Sequence, residues 1–123
     1  MEVLLDTSFI VSCIRKKIDF ISQLEELGFK IIFPKEVLEE LKDLKNSPEE
    51  SRADRESINL ALRMFEDKDV KKMKLGSRTT DEGLIHKGKE GYYIATLDSS
   101  IKRLVPNKVV IFDAQKSVGV ERT

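Results

Sequence analysis

Short apolar segments alternate with longer amphipathic segments along the chain, and this alternation constrains the fold more than any other feature. The apolar segments have the length of buried strands, whereas the others space their apolar residues as helices do. The predicted strands are Glu2–Leu5, Phe29–Phe33, Val70–Lys74, Gly91–Thr96 and Lys108–Phe112. The predicted helices are two within Ser8–Leu27, broken near Lys16–Asp19, and then Pro34–Asn46, Pro48–Glu66, Thr80–Lys89 and Ser99–Leu104. This order predicts an α/β fold, a three-layer α/β/α sandwich with a central parallel sheet of four to five strands.

Length and charge limit the classes of protein that need to be considered. The 123 residues are enough for one compact domain, and we expect a single domain over residues 1–123. The 22 basic and 22 acidic residues cancel, so any contact with nucleic acid requires a local basic patch. The chain has one cysteine, no export signal at its start, and no apolar run near the roughly 20 residues that a membrane span needs. We therefore expect a cytoplasmic protein without a membrane partner.

Two acids stand directly after predicted strands. Asp6 follows the first strand in VLLDTSFIV, and Asp98 follows the fourth strand in IATLDSSIKR. In an open parallel sheet, ligands bind at the carboxyl ends of the strands, so both acids lie where a site would form. Each also precedes a helix, where Asp is a favoured N-cap, and capping alone is a sufficient explanation for either acid taken singly.

Helical geometry separates two further acids from their neighbours. At about 100° per residue, Glu40 borders the apolar face of its helix and Glu39 points to solvent, with Glu36 and Asp43 also toward the solvent side. The alternative for Glu40 is an ion pair with a flanking lysine, Lys35 or Lys45.

A second pair of acids begins a later helix. Asp81 lies near the centre of the inward face that Leu84 and Ile85 define, whereas Glu82 points away. Glu82 also fits a capping box with Thr79. A carboxylate aimed at apolar neighbours costs several kcal/mol unless a cation or hydrogen bonds compensate it. The alternative for Asp81 is favourable placement in the positive first turn of the helix.

Four segments carry a resemblance to the PIN domain family, over Val3 to about Phe112. They are VLLDTSFIV, IIFPKEVLEELKDL, TTDEGLI and IATLDSSIKRL, and their order and spacing are more specific than any one of them. The resemblance implies an α/β/α sandwich, a divalent-ion site and hydrolysis of phosphodiester bonds in single-stranded RNA. The Asp-Glu at 81–82 and the later Tyr-Tyr-Ile-Ala-Thr-Leu-Asp look closer to the RNA-processing branch of the family than to typical VapC-type toxins.

The resemblance also assigns residues to the site. It makes four acids the catalytic residues and the metal ligands: Asp6, Glu40, Asp81 and Asp98. It implies that Ser8 and Thr96 support these acids through hydrogen bonds. Many relatives carry a further acid where this chain has Ser100, so a second metal position could be weak, and Glu82 could help instead.

Carboxylates suit the chemistry that the resemblance implies. Mg²⁺ or Mn²⁺ prefers oxygen ligands, activates water and stabilises charge on phosphate, whereas one His86 and one Cys13 cannot form a zinc cage. Carboxylates about 4 Å apart repel by roughly 4 kcal/mol per pair at an effective dielectric of 20. We therefore predict raised pKa values for the acids without metal, and stabilisation of the fold by metal.

Basic residues near the proposed edge are expected to hold RNA. We predict phosphate contacts from Arg15, Arg78, Lys102 and Arg103, although an exposed, solvated helix face is the simpler explanation for any one of them. Lys16, Lys17 and Lys87 are further basic groups near that edge. The partners that the resemblance suggests are single-stranded or structured RNA, a second copy in a homodimer, an antitoxin, or a ribosome-assembly partner.

Three functions compete at this level. The first is a metal-dependent endoribonuclease in RNA processing or as a toxin. The second is a catalytically weak PIN module that binds RNA or a ribonucleoprotein partner, suggested by Ser100 and by the lack of net positive charge. The third, a generic Rossmann-like nucleotide binder, ranks last because no glycine-rich phosphate loop follows the first strand.

Overall fold

The structure is a computed structural model that describes residues 1–67 and 69–121. Its strands are β1 (Glu2–Leu5), β2 (Lys30–Pro34), β3 (Lys71–Met73), β4 (Tyr93–Ala95), β5 (Lys108–Phe112) and β6 (Ser117–Glu121). Its helices are α1 (Thr7–Arg15), α2 (Phe20–Glu26), α3 (Lys35–Lys45), α4 (Arg52–Phe65), α5 (Thr80–Lys89) and α6 (Ser99–Lys102). The elements predicted from the sequence are therefore present, with ends that differ by a few residues.

The six strands form one sheet in the order β3-β2-β1-β4-β5-β6. Strands β1 to β5 are parallel, and β6 is antiparallel to β5. The predicted α/β fold with a parallel sheet is confirmed for β1 to β5, but the predicted count of four to five strands is too low because β6 joins the sheet as an antiparallel strand. A hairpin through the 3-10 turn Asp113–Gln115 adds β6 to the β5 edge.

The hairpin that adds β6 depends on two backbone features. Lys116 turns the chain with φ 48°, in the left-handed region, just before β6 begins. Gly119 faces the ring of Phe112, since a Cβ at that position would lie 2.7 Å from Phe112 Cε2. Val118 then donates its amide hydrogen to Gln23 Oε1 of α2 at 2.8 Å, which fastens the new strand to the helical layer.

Alternating side chains of the central strands divide the core into two parts. Val3 and Leu5 of β1 belong to a large cluster under α1 to α4, whereas Leu4 belongs to a small cluster under α5 and α6. The sheet is therefore covered on both faces, as the predicted three-layer sandwich requires. Strand β3, with its exposed Lys71, is an edge strand, in agreement with its lysine-rich sequence.

The chain order makes the β1–β4 boundary the place where a ligand site is expected. From β1 the chain builds the sheet outward to β3, and then returns to place β4 on the other side of β1. Helices that follow β1 and β4 diverge at this boundary and leave a crevice at the carboxyl ends of the two strands. Within residues 1–67 and 69–121, every helix is too short or too polar to cross a lipid bilayer.

Candidate active site

Asp6 lies in the turn between β1 and α1 and is 7% exposed. Its Oδ1 accepts a hydrogen bond from the Thr7 amide at 2.8 Å. Its Oδ2 accepts from the Thr96 hydroxyl at 2.7 Å and from the Ser8 hydroxyl at 3.3 Å. The Asp6 amide donates to Ala95 O at 2.9 Å, which fixes this turn to the end of β4. Asp6 therefore caps α1 and is also the buried centre of a polar network.

Glu40 reaches the same crevice from α3. Its Oε1 accepts a hydrogen bond from the Thr7 hydroxyl at 2.6 Å, across 33 positions of sequence. No ion pair joins Glu40 to Lys35 or Lys45, and all three residues are described. The structure therefore places Glu40 beside Asp6 rather than in the flanking ion pair that the sequence left open.

Asp81 approaches from α5, on the opposite face of the sheet. Its negative charge acts on both Asp6 and Glu40, so the three carboxylates share one crevice. The predicted inward orientation of Asp81 is wrong, because Asp81 is exposed and α5 buries Gly83, Leu84 and Gly88 instead. Asp81 lies in the first turn, ahead of the residues of α5 that pack on the sheet, and its charge is near enough to act on Asp6 and Glu40.

Asp98 is joined to this network through its backbone. Its amide donates to Thr96 Oγ1 at 3.1 Å, and the same hydroxyl donates to Asp6. The Asp98 carboxylate caps α6, accepting from the Ser100 amide at 2.9 Å and from the Ser100 hydroxyl at 2.6 Å. Ser100, at the position where the resemblance suggested a further acid, thus holds one oxygen of Asp98.

The electrostatics separate Asp6 and Glu40 from Asp98. Burial raises the pKa of Asp6 above its ordinary value despite the hydrogen bonds from Thr96 and Thr7, which lower it, and the negative charge of Asp81 adds a smaller upward contribution. Glu40 is an exposed residue, but its carboxyl turns into the crevice, so desolvation and then the charges of Asp6 and Asp81 raise its pKa. The predicted raised pKa is confirmed for these two acids. Burial contributes more than the repulsion on which that prediction rested.

The prediction of a raised pKa is wrong for Asp98. Hydrogen bonds from Ser100 lower the pKa of Asp98, and the positive charge of Arg103 lowers it further. Asp98 lies nearer the surface than Asp6, so little desolvation opposes these contacts. The pKa of Asp6 is therefore raised, whereas the pKa of Asp98 is lowered.

Only one of the two hydrogen bonds of the capping box predicted at the start of α5 is present between the described residues Thr79 and Glu82. The Thr79 hydroxyl accepts from the Glu82 amide at 3.1 Å, as predicted. The Glu82 carboxylate instead pairs with Arg78 at 3.2 Å. Glu82 thus stays on the solvent side, and its suggested help at the metal site remains a prediction.

The basic residues predicted to contact RNA separate into two groups. Arg15 lies at the far end of α1, about 13 Å from Asp6 at 1.5 Å per residue, and pairs with Glu50 at 2.6 Å and Asp54 at 3.1 Å. The structure therefore does not bring Arg15 to the acids. Lys102 and Arg103 follow Asp98 by one helical turn and have no ion pair among residues 1–67 and 69–121. RNA contact by Lys102, Arg103 and Arg78 stays a prediction.

The single cysteine and the single histidine have structural explanations. Cys13 is fully buried in α1, and burial raises the pKa of its thiol to about 12. His86 is exposed on α5, with Nε2 3.0 Å from Glu90. Cys13 therefore lies in the core and His86 on the surface.

Sequence analysis missed two residues that organise the crevice. Thr7 links Asp6 to Glu40, with its amide on one acid and its hydroxyl on the other. No local signal reports this contact, because it depends on the packing of α3 against α1. Glu36, predicted on the solvent side, is half-buried and accepts from the Leu75 and Gly76 amides. Its position four residues before Glu40 placed it on the same stripe of α3, and that spacing was an available signal.

The acids offer suitable donors for a divalent cation but are not gathered into a closed cage. Among the described residues, no three His, Cys, Asp or Glu side chains are grouped so that they could hold a metal ion. The donor chemistry nevertheless fits, because these are hard carboxylate oxygens and no Lys, Arg or His of the described residues pairs with any of the four acids. A bound cation would have to draw Glu40 and Asp81 toward Asp6.

Comparisons with known proteins agree with this architecture. The family model for the PIN domain matches residues 3–111. A solved structure entitled "Structure of the PIN domain endonuclease Utp24" superposes with a TM-score of 0.72 at 21% identity, covering 99% of this chain and 92% of that chain. At this identity the structural likeness establishes the fold alone. A comparison with curated proteins finds no significant match.

Proposed function

The chain belongs to the PIN domain family, and from that premise we propose that it is a metal-dependent endoribonuclease that hydrolyses phosphodiester bonds of single-stranded RNA in RNA processing. PIN domains are generally nucleases, and the similar solved structure is named an endonuclease. Metal dependence, the RNA substrate and the biological role go beyond the family, and they rest on the chemistry of the crevice.

The environment of Asp6 carries the proposal. Asp6 is a buried carboxylate whose oxygens accept only from hydroxyls and a backbone amide, with Glu40 and Asp81 nearby. A buried carboxylate that lacks a cationic partner destabilises the fold when it ionises. Unpaired acids at one place in the fold lower its stability, and such clusters are typical of functional sites that bind a ligand. Carboxylate oxygens are the ligands that hard divalent cations prefer, so a divalent cation is the ligand that fits these acids.

The four acids would hold the cation in unequal ways. Asp6, Glu40 and Asp81 share the crevice, and Asp98 adds the oxygen that Ser100 leaves free. When bound, Mg²⁺ or Mn²⁺ supplies a water of lowered pKa and stabilises negative charge on a phosphate oxygen. Ser8 and Thr96 orient Asp6 toward the crevice through their hydrogen bonds.

Basic side chains beside Asp98 suggest how the RNA substrate would be held. Lys102 and Arg103 stand one turn beyond Asp98 and would neutralise phosphates next to the one that is cut. Because Asp6 is buried at the carboxyl ends of the strands, we expect a flexible single strand to bring its backbone closer to this carboxylate than a rigid duplex does. The proposed substrate is therefore single-stranded RNA, including loops of structured RNA.

A cleavage assay tests this proposal. Purified protein and its Asp6→Asn and Asp81→Asn variants are incubated with labelled single-stranded RNA and Mn²⁺ or Mg²⁺, with Glu39→Gln as a matched control. Glu39 lies on the solvent side of α3 and pairs with Lys42 at 3.3 Å, so its loss removes one charge without touching the crevice. We expect cleavage by the wild type and the control only, and its abolition by a metal chelator.

A second function has one observation in its favour, the absence of a closed metal cage among the described residues. It is a catalytically weak module that binds RNA or a ribonucleoprotein partner. RNA binding that resists chelation, without cleavage by the wild type, would support this module and refute the enzyme. Equal cleavage by wild type and both variants would identify a contaminating nuclease.

A further inference from the structure

The position of Asp81 depends on a segment that has little regular structure of its own. Residues 74–79 connect β3 to α5 without helix or strand, and α5 begins at Thr80, one residue before Asp81. A shift of this connection moves the first turn of α5, and with it the Asp81 carboxylate. Whatever fixes the connection therefore also fixes the third acid of the crevice.

Glu36 of α3 holds that connection by its backbone. Its Oε1 accepts from the Leu75 amide at 3.1 Å, and its Oε2 accepts from the Leu75 amide at 3.0 Å and the Gly76 amide at 3.2 Å. The amides of Leu75 and Gly76 thus both donate to the Glu36 carboxylate, which lies 39 and 40 residues earlier in the sequence. Gly76 has φ 75°, a left-handed conformation that suits glycine.

Leu75 transmits this restraint to α5. Its side chain is 8% exposed and belongs to the small core cluster that also contains Leu84. Gly83 lies directly against it, since a Cβ at Gly83 would be 2.7 Å from Leu75 Cβ. Helix α5 therefore rests on Leu75, two residues after Asp81, and cannot keep its place if the Leu75 backbone moves.

Glu36 and Glu40 lie one helical turn apart on α3. Glu40 meets Asp6 through the Thr7 hydroxyl, and Glu36 meets the segment that leads to Asp81. Helix α3 therefore contacts both α1, through Glu40, and the segment that leads to α5, through Glu36, although α1 and α5 lie on opposite faces of the sheet. Burial alone raises the pKa of Glu36, but the amide hydrogen bonds outweigh it and leave the pKa below its ordinary value, so the carboxylate is ionised at neutral pH.

We propose that Glu36 is a positioning residue of the metal site, which places Asp81 by holding the backbone of Leu75 and Gly76. The inference rests on the proposed function, because it assigns Glu36 a role toward a cation that Asp81 helps to bind. Glu36 itself does not touch the cation or the RNA. Its effect passes through Asp81 alone, and this distinguishes it from a residue that merely stabilises the fold.

A double-mutant cycle tests the route through Asp81. Mn²⁺ affinity is measured by calorimetry for the wild type, Glu36→Gln, Asp81→Asn and the double variant, with Glu39→Gln as the control for loss of one charge from α3. Gln keeps one acceptor oxygen but loses the negative charge and replaces the other oxygen with a donor group, so it holds the two amides more weakly than Glu36 does. We expect Glu36→Gln to weaken Mn²⁺ binding about tenfold, as groups that orient metal ligands do, and to add less than about twofold in the Asp81→Asn background.

Two further measurements separate positioning from general stability. Hydrogen exchange of the metal-free protein should show faster exchange in the first turn of α5 for Glu36→Gln and no change for Glu39→Gln. Ile58→Val, a cavity variant of the large core under α4, should lower Tm without weakening Mn²⁺ binding. If Glu36→Gln fails to fold, Glu36→Asp, which keeps the charge but is one methylene shorter, passes through the same cycle.

The outcomes are distinguishable. Additive losses in the cycle, or unchanged Mn²⁺ affinity in Glu36→Gln, would overturn the positioning role while leaving the proposed function intact. A wild type that neither binds Mn²⁺ nor cleaves RNA would overturn the proposed function, and the inference with it. A nonadditive loss together with faster exchange in α5 supports both.

Discussion

The turns that follow β1 and β4 are built alike and behave differently. In each, an Asp follows a central strand, directly after β1 or three residues after β4, and caps the next helix, and the serine two residues later donates its hydroxyl to that Asp. Yet the pKa of Asp6 is raised, because it is buried near other carboxylates, and the pKa of Asp98 is lowered, because Ser100 and Arg103 stabilise its charge. The same local motif thus yields two carboxylates with different affinities for a proton.

The difference shows that tertiary surroundings, rather than the capping motif, determine which acid is poised for a cation. Helix α3 and helix α5 bring Glu40 and Asp81 to the β1 turn, whereas the β4 turn faces solvent and a basic side chain. Asp6 is therefore the centre of the site, and Asp98 is its more exposed flank. The following predictions test that ranking.

The largest expected effect separates the two acids in cleavage. Asp6→Asn should reduce metal-dependent RNA cleavage by at least about 100-fold, and Asp98→Asn by about tenfold, the range expected when groups that bind or orient a metal are removed. Asp98 loses less because Ser100 already engages one of its oxygens. Initial rates at saturating Mn²⁺ measure both. Equal losses would remove the distinction between the two turns.

Replacement of the hydroxyl that joins the turns comes next. Thr96 is fully buried, donates to Asp6 at 2.7 Å and accepts from the Asp98 amide at 3.1 Å. Thr96→Val keeps the shape but leaves the amide without this partner, so it should lower the free energy of unfolding by about 2 kcal/mol. Urea denaturation measures the change, and a value near zero would show that the hydroxyl does not hold the turns together.

Metal should stabilise the wild type through Asp6 more than through Asp98. At about ten times its Kd, Mn²⁺ adds about 1.4 kcal/mol, or about 5 °C in Tm for a domain of this size. The increase should disappear in Asp6→Asn and persist in part in Asp98→Asn. Thermal scans with Mn²⁺ and again after addition of EDTA provide the measurement, and an equal increase in both variants would contradict the ranking.

The pH dependence of stability should have opposite signs for the two acids. The folded-state pKa of Asp6 is raised from 3.8, so its stabilising contribution is complete below that value and is lost as pH rises through the folded pKa. The folded-state pKa of Asp98 is lowered, so its contribution is present above 3.8 and is lost as pH falls.

Urea denaturation at pH 3 to 7 measures these signs. The free energy of unfolding of the wild type, relative to Asp6→Asn, should fall as pH rises from 4 to 7. Relative to Asp98→Asn, it should fall as pH drops from 4 to 3. Slopes of the same sign for the two variants would show that burial does not set them apart.

Ser100→Ala should have the smallest effect. It removes the 2.6 Å hydrogen bond to Asp98 but leaves the Ser100 amide in place, at an exposed position. Stability should change by no more than about 0.5 kcal/mol, and the pKa of Asp98 should rise toward its ordinary value. Carboxyl titration by NMR measures that pKa, and an unchanged value would assign its lowering to Arg103 instead.

Local sequence predicted much of this molecule because local chemistry produced it. The apolar runs of β1 and β5, the amphipathic stripe of α3 and the Thr79 cap of α5 depend on residues within a few positions of each other. Strand β6 was missed because Val118, Gly119 and Val120 form too short a signal, and their strand conformation depends on pairing with β5. Asp81 was misoriented because helical arithmetic assumes that the whole helix packs on the core.

By itself, the sequence determined the alternation of strands and helices, the mostly parallel sandwich, and the two acids that end the central strands. Only the tertiary structure decided that Glu40 meets Thr7, that Glu36 holds the segment before α5, and that Asp6 and Asp98 differ in proton affinity. The reason is physical: strand and helix periodicity is written in neighbouring residues, whereas desolvation and charge at a site depend on groups that only folding brings together.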